Sequence, residues 1–284
     1  MSASDSILRL VATLAACAAA TALSVAFSPA RADDARVRSD LEAVSRRSVF
    51  FGHQSVGSNI LDGIRELATR EGLPLRVEEV ATVSDVKRGT LAHGFMDANL
   101  EPFRKLESFR RAFGTGPGKG VDVALLKFCY IDITPDSDVR RLFEQYQLTI
   151  QELRASHPET TFVHVTIPLM GLQGGIKGAV KRLLGRAPYG ITENARREEY
   201  NALLRQAYQG KEPVFDLARV ESTNPDGRTE TAEWKGRTVP MLVPAYTDDG
   251  GHLNAQGRQV AARALLGVLA SVPAPLAAAS PAAR

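Results

Sequence analysis

Five short apolar runs punctuate this chain: "SVFF" (48–51), "LPLRVEEV" (73–80), "VDVALLKF" (121–128), "TFVHVTIPL" (161–169) and "PVFDLARV" (213–220). Between them lie stretches of a different rhythm. Val56, Ile60, Leu61, Ile64, Leu67 and Ala68 recur at helical spacing as far as Gly72. Asp138 stands where it caps a helix that carries Val139, Leu142, Phe143, Tyr146, Ile150 and Leu153 on one face. Residues 192–209 form another amphipathic pattern, and Asn254 caps a last helix running to about Leu269. Strands alternating with helices of this length pair in parallel through helical crossovers. The expected fold class is therefore α/β, with a sheet covered on both faces. Two stretches, 171–190 and 221–246, read as excursions from that core.

The first residues carry a different signal. Arg9 precedes an uncharged run from Leu10 to Phe27, and Ala30 and Ala32 meet the small-x-small rule for cleavage after Ala32. Residues 1–32 are thus read as an export signal, 33–271 as one domain, and the Ala/Pro-rich 272–284 as a disordered tail. The expected destination is periplasmic or extracellular, with no membrane insertion once the signal is removed. "LAAC" (14–17) resembles a lipoprotein cleavage box, which would tether the chain through Cys17. The apolar run continues beyond Cys17, which argues against that alternative. After cleavage only Cys129 remains, so no internal disulfide is available. A formal charge of +3 over 284 residues gives no basic face of the kind nucleic-acid binding needs.

In open parallel sheets, ligands sit at the carboxyl ends of the strands. The first strand ends in "FFGHQSVG" (50–57), which puts Ser55 in a strand-to-helix turn. A serine hydroxyl becomes a nucleophile when a base, itself oriented by a third group, stands within hydrogen-bond reach. "DGGHLNAQG" (249–257) supplies Asp249 and His252 three residues apart, just ahead of the last helix. That spacing lets a carboxylate hold one ring nitrogen and leave the other for serine. Each residue alone has a plainer reading: Ser55 as a helix N-cap, His252 as a turn residue. Their joint occurrence at the first and last helix starts favours the chemical reading.

These blocks resemble those of SGNH/GDSL hydrolases, a resemblance covering most of residues 46–270. "FFGHQSVG" stands where that family has Gly-Asp-Ser, with one residue more, and "DGGHLNAQG" closely matches its last block. The resemblance implies a flavodoxin-like three-layer α/β/α fold with about five parallel strands. It implies catalysis by Ser55, Asp249 and His252, without cofactor or metal. It also implies an oxyanion hole made by the Ser55 N–H, a glycine N–H and an asparagine side chain. Gly94 in "LAHGFMDANLEP" (91–102) is the expected glycine. The asparagine is missing: after the third strand the chain reads "KFCYIDI" (127–133), with Asp132 kept but Ile131 in the amide's place. Asn99 is the expected substitute.

Other candidates have structural readings. His53 and His93 are taken as turn histidines bonded to backbone, His164 as a satisfied strand residue, and Cys129 as a packed thiol. "GTGPGKG" (114–120) lacks the spacing of a phosphate loop, and "DITPDSD" (132–138) is a turn and cap sequence and not a metal site. Lys177, Lys181, Arg182 and Arg186 read as a solvated basic face. The expected function is an exported serine esterase acting on O-acyl esters of a carbohydrate. Acyl transfer to a sugar hydroxyl and non-catalytic glycan binding on the same scaffold are the alternatives. The expected partner is a small-molecule or polysaccharide ester.

Overall fold

The computed structural model of the chain describes residues 29–114, 120–174, 180–181 and 183–273. The chain divides into a unit ending at Ala35 and a compact body from Arg36 onward. The export signal and Cys17 lie outside the described residues, except that Pro29 to Ala32 begin the first described helix, α1 (Pro29–Val44). Most of the 114–120 connection, and residues 175–179 and 182 of the basic excursion, also lie outside them.

Within the body, β1 (Ser48–His53) leads into α2 (Val56–Arg70), and β2 (Arg76–Glu79) into β3 (Thr90–Phe95). Next come α3 (Pro102–Phe113), β4 (Val123–Leu126), α4 (Val139–Ser156) and β5 (Thr161–Val165). Then α5 (Ile191–Tyr208), β6 (Val214–Phe215) and the short α6 (Leu217–Ser222) follow. A hairpin of β7 (Thr231–Trp234) and β8 (Arg237–Pro240) precedes the last helix, α7 (Ala255–Ser271).

β1 to β6 form one parallel sheet in the order β2-β3-β1-β4-β5-β6. Side chains of a strand alternate between its faces, and β1 shows the consequence. Val49 and Phe51 join the core shared with α1, α2 and α7, whereas Phe50 joins the core shared with α3, α4 and α5. This is the three-layer α/β/α fold. β1, β2, β4, β5 and β6 answer the five apolar runs of the sequence, with β2 at the sheet edge, and β3 is a sixth strand between β2 and β1.

Three local expectations change. "TLAHGF" (90–95) is a strand, although in sequence only its His93 and Gly94 stood out, and His93 as a turn residue. "PVFDLARV" is a strand only at Val214 and Phe215, because Asp216 turns the chain by accepting the Arg219 N–H and so starts α6. The excursion at 221–246 holds the β7–β8 hairpin, whose two-residue turn has positive φ at Lys235 and Gly236, as a tight hairpin turn of the primed type requires. At the far end Val272 is buried in the core, so the fold reaches one residue into the stretch read as tail; residues 274–284 lie outside those described.

Candidate active site

Ser55 is the residue immediately before α2, where a serine normally folds its hydroxyl back onto the helix. Here it makes no such cap bond. The Ser55 Oγ instead lies 3.4 Å from the Cys129 Sγ, just past the end of the adjacent strand β4. The Ser55 N–H donates to no group among the described residues, and it lies at the positive end of α2.

Asp249 and His252 face one another across the two glycines. Asp249 Oδ2 meets His252 Nδ1 at 2.7 Å, while Oδ1 accepts the N–H groups of Gly251 and His252 at 2.8 Å each. Burial works to raise the Asp249 pKa, but the His252 ring bond and the two backbone bonds outweigh it. The carboxyl is held well below the usual carboxylate range. An ionised Asp249 fixes the proton on Nδ1 and leaves Nε2 as the acceptor. Glycine is required at both intervening positions: Gly250 has φ 85°, and a Cβ on Gly251 would meet the Tyr130 hydroxyl at 2.7 Å.

Tyr130 links the two halves. It follows Cys129, and its ring centroid lies 5.8 Å from that of His252. Asn59 of α2 accepts the Leu253 N–H at 3.2 Å, tying the helix that follows Ser55 to the turn that carries His252. Ser55 and His252, 197 residues apart in sequence (252 − 55), therefore share one end of the sheet. Among the described residues no hydrogen bond joins the Ser55 hydroxyl to the His252 ring. Burial, chiefly, with the neighbouring Cys129 and Asp249, pushes the Tyr130 hydroxyl up to about 12, so it stays protonated.

The expected glycine donor is corrected. Gly94 lies inside β3, paired with Gly52, and in a parallel ladder the amides of 94 and 96 point to the same neighbour. Met96 donates to the His53 carbonyl on β1, so the Gly94 N–H is committed to that strand as well. Asn99 lies in the exposed loop before α3, and its Oδ1 accepts from Lys105 Nζ at 2.9 Å. Ile131 is 37% exposed and carries no donor.

His53 and His93 are also corrected: both are buried, and their rings pair at 3.2 Å between His53 Nε2 and His93 Nδ1. Burial above all, helped by the nearby Lys127 charge, pushes His53 down to about 3, which leaves it neutral. His164 is satisfied as expected, by the Tyr146 hydroxyl at 2.8 Å and Glu212 at 2.9 Å. The sequence reading missed how Cys129 packs against the serine, and it missed the buried Lys105–Asp132 pair. The retained Asp132 of "CYID" was the only signal that pointed there. Among the described residues no group of three or more His, Cys, Asp or Glu side chains forms a metal cage.

No family model and no curated protein matches the chain. Solved structures do match. One is a Streptococcus pneumonia protein provisionally described as a platelet activating factor, 16% identical over 94% of this chain and 100% of that one, with a TM-score of 0.47. Another, from Parabacteroides merdae and provisionally described as a GDSL-like lipase, is 12% identical over 78% of this chain and 94% of that one, TM-score 0.40. A third is the periplasmic domain of a Salmonella ser. Paratyphi A lipopolysaccharide acetyltransferase, 15% identical over 76% and 80%, TM-score 0.36. Each is a distant likeness of fold, from which no activity follows.

Proposed function

We propose that the protein is an exported serine acyl hydrolase that works through Ser55, His252 and Asp249 on O-acyl esters of a carbohydrate. One observation carries the reading. A serine placed where helix caps form leaves its hydroxyl uncapped, at the end of the sheet where an aspartate already holds a histidine by Nδ1. In this scheme Ser55 Oγ attacks the ester carbonyl carbon as its proton passes to His252 Nε2, and Asp249 steadies the imidazolium. The tetrahedral intermediate collapses, the alcohol leaves with the proton from His252, and water delivered through the same imidazole releases the acid. The Ser55 N–H supports the oxyanion, with the Asn99 amide as the side-chain donor. Catalytic contacts of this kind often tighten only when substrate binds, so a direct Ser–His bond is not a precondition.

The test is labelling by a fluorophosphonate, followed by mass mapping of the adduct. An activated Ser55 reacts. A protein that folds and leaves the probe untouched rejects the hydrolase. The second reading, non-catalytic glycan binding on the same scaffold, draws on Ile131, where the resemblance calls for an amide donor. Transfer of the acyl group to a sugar hydroxyl uses the same site, with an alcohol in place of water.

No helix among the described residues is long and apolar enough to cross a membrane. Export rests on the sequence reading of residues 1–32.

A further inference from the structure

Lys105 sits in the first turn of α3 with its ammonium fully buried. That is a costly place for a cation: it is removed from water, and it stands at the positive end of a helix. Asp132 neutralises it, meeting Nζ at 2.7 and 2.8 Å, with both side chains wholly buried. A buried ion pair is a poor source of stability compared with apolar packing, so its other bonds show what it organises.

Those bonds run to the two loops beside Ser55. Asp132 also accepts the Cys129 N–H at 2.7 Å and the Leu100 N–H at 2.9 Å. Lys105 donates to Asn99 Oδ1 at 2.9 Å. At the other end of the same loop, the Gln54 side chain, next to Ser55, donates to the carbonyls of Met96 and Asp97. The loop is pinned at both ends, and Asn99 stands between the pins. Leu100 pays for the geometry: it holds φ 69°, a left-handed conformation disfavoured for a leucine, with its side chain 57% exposed.

An ammonium has only donors, so the atom of Asn99 that it touches must be the oxygen. The amide nitrogen of Asn99 is thereby turned away from Lys105, and it donates to nothing among the described residues. We infer that the Lys105–Asp132 pair is a positioning device that fixes the Asn99 amide with its N–H toward the Ser55 site. Asn99 then serves as the oxyanion donor that Ile131 cannot be. The inference rests on the hydrolase reading and adds to it the residues that hold its transition-state donor.

Asn99→Asp tests it, because the aspartate keeps the acceptor that Lys105 holds and lacks the N–H. On a short-chain aryl ester its kcat falls about 100-fold or more, the usual loss for one oxyanion donor, while KM and Tm stay close to those of the parent. Lys105→Met is then measured in the parent and in an Asn99→Ala background. It lowers kcat in the first and changes it less than about twofold in the second, since a residue acting through Asn99 has nothing left to act on. If Lys105→Met does not fold, Asp132→Asn takes its place in the same cycle. Parent-like kcat in Asn99→Asp overturns the inference, as does an equal loss from Lys105→Met in both backgrounds. A parent protein that neither turns over ester nor takes up fluorophosphonate overturns the hydrolase reading, and this inference with it.

Discussion

Ser55 and Asn254 both stand one residue ahead of a helix, and both are residue types that helix starts favour, yet only Asn254 is a cap. Its Oδ1 accepts the N–H groups of Gln256 and Gly257 at 3.1 Å each, while Ser55 makes no such bond. The two alanine variants therefore separate stability from chemistry. Asn254→Ala lowers unfolding free energy by about 1 kcal/mol, the ordinary worth of a cap, and leaves the kcat of the folded fraction unchanged. Ser55→Ala abolishes turnover of a short-chain aryl ester and leaves Tm nearly unmoved, as read by calorimetry. A clear drop in Tm with activity intact would return Ser55 to the role of a structural residue.

At the scale of elements, the site depends on how closely α2 approaches α7, since Ser55 leads into one helix and His252 into the other. Gly63 sets that approach: a Cβ there would lie 2.5 Å from the Arg258 carbonyl oxygen and 2.9 Å from the Ala262 Cβ. Gly63→Ala forces the helices apart, and the strain, on the order of 1–3 kcal/mol, outweighs the helix propensity gained. The urea midpoint falls and the slope is retained. Gly267 in α7 is the control. A Cβ there meets nothing closer than Asp40 Oδ2 at 3.6 Å, so Gly267→Ala raises stability by up to about 1 kcal/mol.

Across the whole molecule, buried titratable groups set the pH range of the fold. Burial lowers His53 to about 3 and His164 to about 4 from an ordinary 6.5. Both prefer to be neutral when folded, so their contribution is full above pH 6.5 and is lost as pH falls toward 3. Glu221 is the opposite case. Burial, outweighing the Leu169 N–H bond and the Lys127 and Arg197 charges, raises it from 4.5 to about 8. Its contribution is full below pH 4.5 and is lost as pH rises to 8, at about 1.4 kcal/mol per unit. The two histidines thus favour the fold on the neutral side of their range and Glu221 on the acid side of its own, while burial of Lys127, which lowers its pKa, works against the alkaline loss from Glu221. Glu221→Gln removes that loss in denaturant titrations at pH 6.5 and pH 8; an unchanged slope refutes the assignment.

Local chemistry made much of this legible in the chain itself. Helical periodicity marked α2, α4 and α5, side-chain oxygens marked the caps at Asp138 and Asn254, and short apolar runs marked β1, β4 and β5, because these properties act over a few neighbouring residues. β3 stayed hidden because Ala92 and Gly94 lack a strand's usual bulk and His93 is polar, and the segment becomes a strand through pairing with β1 and β2. The Asp249–His252 contact was readable since only two residues, Gly250 and Gly251, separate its partners. Where a donor points was not readable. Gly94 lost its amide to a ladder that forms only when β1 arrives, and Asn99 has its amide oriented by a lysine six residues on and an aspartate on another loop. Hydrogen-bond direction and burial depend on groups distant in sequence, and only the folded chain brings those groups together.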